Sequence, residues 1–184
     1  MSSARDDLEE QMTVTRVLAR VLAAVLLLVL AAPWAWRTAT GDFYMTVQGR
    51  SMTPTYQVGD VLVVQEPDGD ELTRAGQVVV AALGAPGADG TRMYVHRVVE
   101  PLPDGGAWLQ GDGNDARDPR PVTQDEVLGT PRLVLAGPVA AGFRASQTVA
   151  GRLVLGAVAL TLLLLPLRGR AGEPEEPGED PATP

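Results

Sequence analysis

The chain has 184 residues and a formal net charge of −8, with no cysteine and a single histidine. This length suits one folded domain, or a smaller domain with membrane segments. The negative charge excludes the large basic face that nucleic-acid binding needs, and the lack of cysteine excludes disulfides and cysteine-based metal sites. All 15 cationic side chains are arginine. Because arginine stays protonated in proteins, the candidate general bases are the histidine and the carboxylates.

The first predicted element is a membrane-spanning helix over residues 17–36, which are apolar apart from Arg20. At about 1.5 Å rise per residue, such a helix spans about 30 Å, the thickness of a bilayer core. Arg16 precedes the apolar run and two tryptophans end it, which predicts an uncleaved signal anchor with residues 1–16 in the cytoplasm. A cleaved signal peptide is the alternative, but no small-x-small cleavage site follows the apolar core.

The middle of the chain, residues 37–147, is predicted to form an extracytoplasmic β-rich domain. No helical period is sustained there, and Gly- and Pro-rich connections at 83–90 and 101–106 are typical of exposed loops. We expect a mainly β fold, a small antiparallel β barrel or sandwich between two transmembrane helices. Short β-branched runs bounded by turn residues predict strands at 43–47, 61–65, 77–82, 93–99, 107–110 and 133–136.

The second apolar block, residues 153–167, reaches a spanning length when the preceding residues are added. We therefore expect a second transmembrane helix over 148–168, with Arg168 and Arg170 on the cytoplasmic side. A helix that lies on the membrane or packs on the domain is the alternative. Residues 169–184 alternate proline, glycine and acids, which predicts a disordered acidic cytoplasmic tail. The protein is thus expected in the cell membrane with two spans.

Ser51 and His96 are the candidate nucleophile and base. Ser51 follows the first predicted span by about fifteen residues, on a loop after the first predicted strand. A serine hydroxyl becomes a good nucleophile when a neighbouring base takes its proton, and histidine is the usual base. His96 is centred in a predicted strand that can hold the imidazole in place. Taken alone, the pair is equally compatible with a structural histidine and an ordinary serine.

The turn-rich segment 111–118 supplies three carboxylates, Asp112, Asp115 and Asp118. Such a group can orient a histidine base, but a solvated turn loop and a calcium site are alternatives. An EF-hand loop does not fit, because Ala116 takes the fifth position and no glutamate closes the loop. We expect neither a metal nor a cofactor.

Three motif blocks follow one another along the chain: Ser51-Met52-Thr53-Pro54-Thr55 with Val58-Gly59-Asp60, Val95-His96-Arg97-Val98-Val99, and Gly111-Asp112 with Asp118. In this order they resemble the serine, histidine and aspartate boxes of the type I signal peptidases, in the archaeal and endoplasmic-reticulum-type branch that uses serine and histidine in place of serine and lysine. The absence of lysine agrees with that branch, as does the pattern of flanking apolar segments.

The resemblance implies a membrane-bound serine endopeptidase that removes signal peptides from exported preproteins after small residues at −3 and −1. Ser51 attacks the peptide carbonyl, and His96 takes its proton and returns one to the leaving amine. Asp118 orients His96, and Asp112 is an auxiliary residue or loop organiser, although the two aspartates can exchange roles. Asp115 has no counterpart in the family. The implied partners are preproteins, the lipid bilayer and, as a further candidate, the secretion translocon.

Two departures from the family pattern concern the nucleophile and a turn. Gly49 stands where many relatives carry a serine implicated in the oxyanion hole, which leaves the backbone N–H of Ser51 as a donor. Gly76-Gln77 stands where relatives usually have Gly-Asp. The resemblance places the substrate groove at the residues just before Ser51, with Tyr44 and Met45 as candidates, and at the 77–82 run.

Two other functions are alternatives to a signal peptidase. A self-cleaving repressor-type protease belongs to the serine–lysine branch and lacks membrane anchors, so the absence of lysine excludes it. A catalytically silent homologue that acts as a membrane adaptor or assembly factor is the alternative from another class, and Gly49 is the feature that favours it.

Overall fold

A computed structural model describes residues 2–83 and 92–165. Residues 84–90 of the loop predicted at 83–90, the end of the second predicted span at 166–168 and the tail at 169–184 lie outside these residues, and Leu83 ends a strand. Two short 3-10 turns, Glu71–Thr73 and Gln124–Glu126, accompany the helices and strands. The elements in chain order are α1 (Ser2–Thr40), β1 (Phe43–Thr46), β2 (Val61–Gln65), β3 (Val78–Leu83), β4 (Arg92–Pro101), β5 (Ala107–Gln110), β6 (Val127–Leu135), α2 (Gly137–Gln147) and α3 (Val149–Leu164).

The six strands form one antiparallel sheet in the order β1-β2-β6-β3-β4-β5. This confirms the prediction of a mainly antiparallel β domain. The prediction of a closed barrel is wrong. Within the described residues the terminal strands β1 and β5 do not pair with each other, so the sheet stays open. The sheet curls instead, so that β1 and the first half of β4 line one cleft.

Strand β6 is longer than the predicted run at 133–136. Its first half contains Gly129 and Pro131, which are turn and breaker signals in a sequence. In the structure both residues lie in the strand, next to irregularities in its pairing with the neighbouring strands. Pro131 lies opposite Val64 at a register shift, and Gly129 at φ +151° approaches the neighbouring strand so closely that a Cβ would lie 2.0 Å from the carbonyl oxygen of Gln65.

Helix α2 occupies the end of the domain, where the sequence predicts no helix. It begins at Gly137, has a proline in its first turn, and ends at Gln147. Pro suits this position because its missing N–H has no intrahelical acceptor there. Thr148 then caps α3 by accepting a hydrogen bond from the Gly151 N–H at 2.9 Å, and α3 leaves at 85° to α2.

Apolar side chains pack on both faces of the sheet, because neighbouring residues of a strand point to opposite sides. On β3, Val79 and Ala81 belong to one buried cluster, and Val80 belongs to the other. Met52, which directly follows Ser51, is 1% exposed in the second cluster. Full burial of such a side chain is worth about 1.5–3 kcal/mol, so the Met52 side chain fixes the Ser51 turn to the core.

Helix α1 contains the predicted span and extends beyond it at both ends. Its segment Gln11–Thr40 is 30 residues long with a mean hydropathy of 2.3, enough to cross a membrane. In the described part of the chain it is the only single helix of that kind, because α3 has 16 residues and qualifies only when combined with α2 across the bend. α1 packs against α3, and Ala23 and Ala159 on these helices are fully buried.

The end of α1 is attached to the sheet by specific polar contacts. Trp36 Nε1 donates to Asp42 Oδ2 at 2.9 Å, and the Tyr44 hydroxyl donates to the Pro33 carbonyl at 3.2 Å. Asp42 is fully buried, and Arg132 Nη1 on β6 lies 3.4 Å from its Oδ2. These contacts fix the start of β1 relative to the helix end, and the Ser51 turn follows that strand.

Candidate active site

Ser51 lies in a turn-rich segment after β1, between an exposed Gly49 and the buried Met52. The turn is closed by hydrogen bonds from the Thr53 N–H to the Arg50 carbonyl at 3.0 Å and from the Gly113 N–H to the Ser51 carbonyl at 2.8 Å. The second bond joins this turn to the 111–118 loop. Ser51 itself is half-buried, so its hydroxyl is held at the edge of the domain.

His96 is in the middle of β4, opposite Val79 of β3, and is 8% exposed. Its Nδ1 lies 2.8 Å from Asp118 Oδ1 and 2.9 Å from Oδ2. The Asp118 N–H donates to the Leu109 carbonyl at the end of β5 at 2.8 Å, which places the carboxylate. With Nδ1 held by a carboxylate, Nε2 is the nitrogen left to exchange a proton with another group.

Gly111 lies between the serine turn and the imidazole. A Cβ at this position would be 2.3 Å from the Ser51 carbonyl oxygen and 2.9 Å from His96 Nε2. Only a glycine therefore allows both segments to approach this closely. No hydrogen bond joins the Ser51 hydroxyl to the imidazole in the described structure, and such contacts often tighten only when substrate binds. In the sequence, Gly111 stands out only as part of a motif, without this role.

Asp112 lies next to the pair but contacts other groups. Its carboxylate accepts two hydrogen bonds from Arg97, at 2.8 Å from Nε and 2.6 Å from Nη2, and one from the Thr55 hydroxyl. Arg97 Nη1 also donates to the Gly76 carbonyl at 2.8 Å, so the turn at Gly76-Gln77 forms despite its departure from the family pattern. Asp112 thus joins the serine turn to β4.

The Arg97 guanidinium and the Thr55 hydroxyl lower the pKa of Asp112 from its ordinary value, against the opposing effect of partial burial. A depressed carboxyl pKa adds stability above the unfolded-state pKa of about 3.9, and this stability is lost as the pH falls through the lowered value.

Asp112→Asn is therefore expected to lower the free energy of unfolding by about 1–3 kcal/mol at neutral pH, because a carboxylate that accepts three hydrogen bonds is lost. The Tm difference between wild type and variant should be largest above about pH 4 and shrink in acid. Thermal unfolding of the detergent-solubilised chain at several pH values measures it. Asp115→Asn, at an exposed position, is the matched control. A Tm gap that is independent of pH would contradict this linkage.

Tyr94 shares the β4 face of His96, two residues away, and its ring meets the imidazole edge-on at a centroid distance of 5.1 Å. Burial, with the negative charge of Asp118, raises the Tyr94 pKa to about 12. The phenol therefore stays neutral and packs against the imidazole without competing for its proton. Tyr94 lies two residues before His96 in the predicted strand 93–99, and this spacing is the signal that could have found it.

A cleft of about 540 Å³ opens beside Ser51. One wall is β1 and the residues after it, including Tyr44, Met45 and Gly49, and the other is Arg92–Val95 at the start of β4. Within the described residues, neither wall has a strand paired to the edge that faces the cleft. An extended peptide can pair with such edges.

The expectation that the 77–82 run lines the groove is wrong. These residues lie in β3 and just before it, and β3 is hydrogen-bonded to β4 on one side and to β6 on the other. β3 pairs with β4 over its whole length and with β6 at Val80 and Ala81, so it offers no continuous free edge to a further strand. None of the residues 77–82 lines the cleft beside Ser51.

Two backbone donors at the Ser51 turn are unused. In the described structure the Ser51 and Met52 N–H groups donate to no backbone carbonyl. A Cβ on Gly49 would meet no atom within 4 Å, so the space beside this turn is open. The described residues also contain no group of three histidine, cysteine or acidic side chains placed to hold a metal ion, and the calcium alternative therefore has no support in this region.

Comparison with known proteins gives one family. The model described as Peptidase S24-like matches residues 11–130, which include Ser51, His96, Asp112 and Asp118. This family belongs to the superfamily that also contains signal peptidase I, one level above the branch predicted from the sequence motifs. No curated protein matches the chain.

Proposed function

Because the chain belongs to the Peptidase S24-like family of serine peptidases, we propose that it is a membrane-bound signal peptidase of the serine–histidine type. The observation that carries this proposal is that the Ser51 backbone and His96 Nε2 both lie within 3 Å of where a Cβ on Gly111 would be, while Asp118 holds the other imidazole nitrogen. The chain contains no lysine, so a serine–lysine pair cannot operate in it. A histidine base is the remaining arrangement of this chemistry.

The proposed mechanism has two transfers of an acyl group. Ser51 Oγ attacks the peptide carbonyl carbon while His96 Nε2 takes the hydroxyl proton, and Asp118 stabilises the imidazolium that forms. The tetrahedral intermediate collapses as the imidazolium protonates the leaving amine, which leaves an ester on Ser51. Water then gives a proton to Nε2 and attacks the ester carbonyl. The imidazolium returns that proton to Ser51 Oγ as the ester bond breaks, and the product departs with a free carboxyl group. The unused N–H groups of Ser51 and Met52 supply the oxyanion donors.

The cleft supports a preprotein as substrate. An extended signal-peptide segment can pair with the free edges of β1 and Arg92–Val95, so that alternate side chains point into the cleft. Tyr44 and Met45 take up space in it, and this favours small residues at −3 and −1. Because the affinity for the signal peptide comes from main-chain pairing, the rest of the substrate needs no sequence motif.

Cleavage of a preprotein by the detergent-solubilised chain tests this function. We expect replacement of a small −1 residue by phenylalanine to lower kcat/KM by about 10²-fold or more, because the large side chain has no room near the nucleophile. The same replacement at −2 points away from the cleft and serves as the control. Equal cleavage of all three substrates would contradict the specificity. Absence of any cleavage would favour the silent-homologue alternative.

The proposed location is the cell membrane, with α1 as the anchor and the β domain on the extracytoplasmic side. The apolar surface of α1 and the arginines at its N-terminal end support this orientation. A second span over 148–168 returns the chain to the cytoplasm in this arrangement. Confinement of enzyme and substrate to one membrane raises their effective concentration, so a weak intrinsic affinity is sufficient. The translocon is a proposed neighbour for the same reason.

Gly49→Ser is expected to raise kcat by up to about 10², because a hydroxyl at this position adds an oxyanion donor and the space is open. Its KM should change little, since the donor acts on charge that develops in the transition state. Steady-state cleavage kinetics measure both constants. Gly49→Ala adds the same Cβ without a hydroxyl and is the matched control. An equal change in both variants would show that the hydroxyl has no part in the effect.

A further inference from the structure

A second cavity, of about 660 Å³, lies where the end of α1 meets β1 and the corner between α2 and α3. Its polar lining consists of Arg37 from α1, Arg144 and Gln147 from α2, Thr148 at the corner, and groups on β1. The described residues that line it include no carboxylate. This cavity is separate from the catalytic cleft and plays no part in the proposed reaction.

The ion pairs found among the described residues include neither of the two arginines that line the cavity. Within the described residues, neither Arg37 nor Arg144 forms an ion pair, whereas Arg97, Arg120 and several others do. The neighbouring carboxylate of Asp42 is fully buried, with Trp36 and Arg132 on its Oδ2. Arg37 also lines an adjoining cavity that contains Glu66, but no ion pair joins the two in the described structure. A cavity lined by two cations and by no described carboxylate predicts an anionic ligand.

A third arginine adds to this charge. Arg152 Nη2 donates to Gln147 Oε1 at 2.7 Å, so its guanidinium is held on the side chain of a residue that lines the cavity. Arg152 lies in the first turn of α3, whose other early residues are apolar and exposed, among them Val149 at 76%. A helix face of this composition is typical of one that faces lipid, with the cations at headgroup level.

The position of the cavity identifies the source of the anion. It lies beside the last turns of α1, where Trp34 and Trp36 are exposed, and α2 runs at 85° to α3. Tryptophan at the end of a span marks the interface between lipid and water. A ligand at this depth is therefore part of a lipid headgroup, where phosphate is the recurring anion. A zwitterionic headgroup carries its own cation, which the arginines repel. A lipid of net negative charge is therefore expected to bind here more tightly.

We infer that Arg37 and Arg144 bind the phosphate of an anionic glycerophospholipid in the leaflet next to the β domain. The inference rests on the proposed membrane placement of α1 and not on peptidase activity. Tyr44 and Thr46 line both this cavity and the catalytic cleft. A lipid in the cavity therefore contacts the strand that forms one wall of the substrate site.

Native mass spectrometry of the full chain in detergent, titrated with phosphatidylglycerol or phosphatidylcholine, tests this site. Phosphatidylglycerol should bind the wild type more tightly than phosphatidylcholine, and Arg37→Gln/Arg144→Gln should weaken it about tenfold or more. Arg74→Gln removes an exposed arginine that pairs with Asp70 and is the matched control. Arg37→Lys/Arg144→Lys keeps both charges and should retain most of the binding. Equal binding of the two lipids, or undiminished binding by the Gln double variant, would overturn the inference.

Further arms of the experiment separate lipid binding from the binding of a free anion and from unfolding. Inorganic phosphate at millimolar concentration should not displace phosphatidylglycerol, whereas displacement would overturn the lipid assignment in favour of a free anion. Should the double variant unfold, the single variants take its place, each with an expected loss of about threefold. Ser51→Ala should bind phosphatidylglycerol as the wild type does, so that failure of the peptidase proposal and failure of this one are distinguishable.

Discussion

Ser51→Ala and His96→Gln are each expected to lower kcat for preprotein cleavage by about 10⁶, and the double variant should lose no more than either single variant. The two side chains act as one unit, because the hydroxyl is a poor nucleophile without a base and the base has nothing to activate without the hydroxyl. KM should change little, since neither group accounts for the main-chain pairing of the substrate. Single-turnover cleavage of a purified preprotein measures the loss.

The matched control for the serine is Ser146→Ala. The Ser146 hydroxyl donates to the Phe143 carbonyl at 2.7 Å on α2 and has no contact with the site, so full activity is expected. Additive losses in the double variant would indicate that Ser51 and His96 act independently, and wild-type rates in either single variant would remove that residue from the reaction.

Asp118→Asn is expected to lower kcat by about 10⁴ while the fold stays intact. The asparagine keeps the size of the side chain, but its amide can present an N–H to Nδ1 and favour the wrong tautomer. It also removes the charge that stabilises the imidazolium. Cleavage kinetics and a Tm measurement on the same preparation separate this effect from unfolding.

Two other aspartates in the same loop provide controls, because their replacement by asparagine removes the same charge. Asp115 is exposed, so Asp115→Asn should leave both activity and Tm unchanged. Asp112→Asn should act through stability, because its carboxylate holds Arg97 and Thr55 rather than the imidazole. A larger loss of kcat in Asp112→Asn than in Asp118→Asn would exchange the roles of the two aspartates.

Most of the sheet was predictable because its signals are local. Short β-branched runs bounded by turn residues identified all six strands, and β2 and β5 match the predicted ranges. The first half of β6 was not predictable, since Gly129 and Pro131 serve there at ladder irregularities, a use that depends on the neighbouring strands. Helix α2 was missed because it has few large apolar residues. The open edge of the sheet was not predictable either, because whether β1 and β5 pair depends on the curvature of the whole sheet.

The sequence predicted the members of the candidate site but not how they are arranged. The motifs identified Ser51, His96, Asp112 and Asp118, yet the sequence allowed the two aspartates to exchange roles. The structure distinguishes them by distance, with Asp118 on His96 Nδ1 and Asp112 on Arg97. The function of Gly111 was hidden because its close contacts join segments that are far apart in the chain. Such contacts leave no periodic or compositional signal in a single sequence.

The most direct measurement is identification of the covalent intermediate. A preprotein is mixed with the wild-type chain, the reaction is quenched in acid within one turnover, and the digested enzyme is analysed by mass spectrometry. We expect an ester-linked adduct, with the mass of the signal-peptide fragment, on the segment that contains Ser51, and no adduct in Ser51→Ala. An adduct on another residue, or cleavage by Ser51→Ala at the wild-type rate, would contradict the claim that Ser51 is the nucleophile.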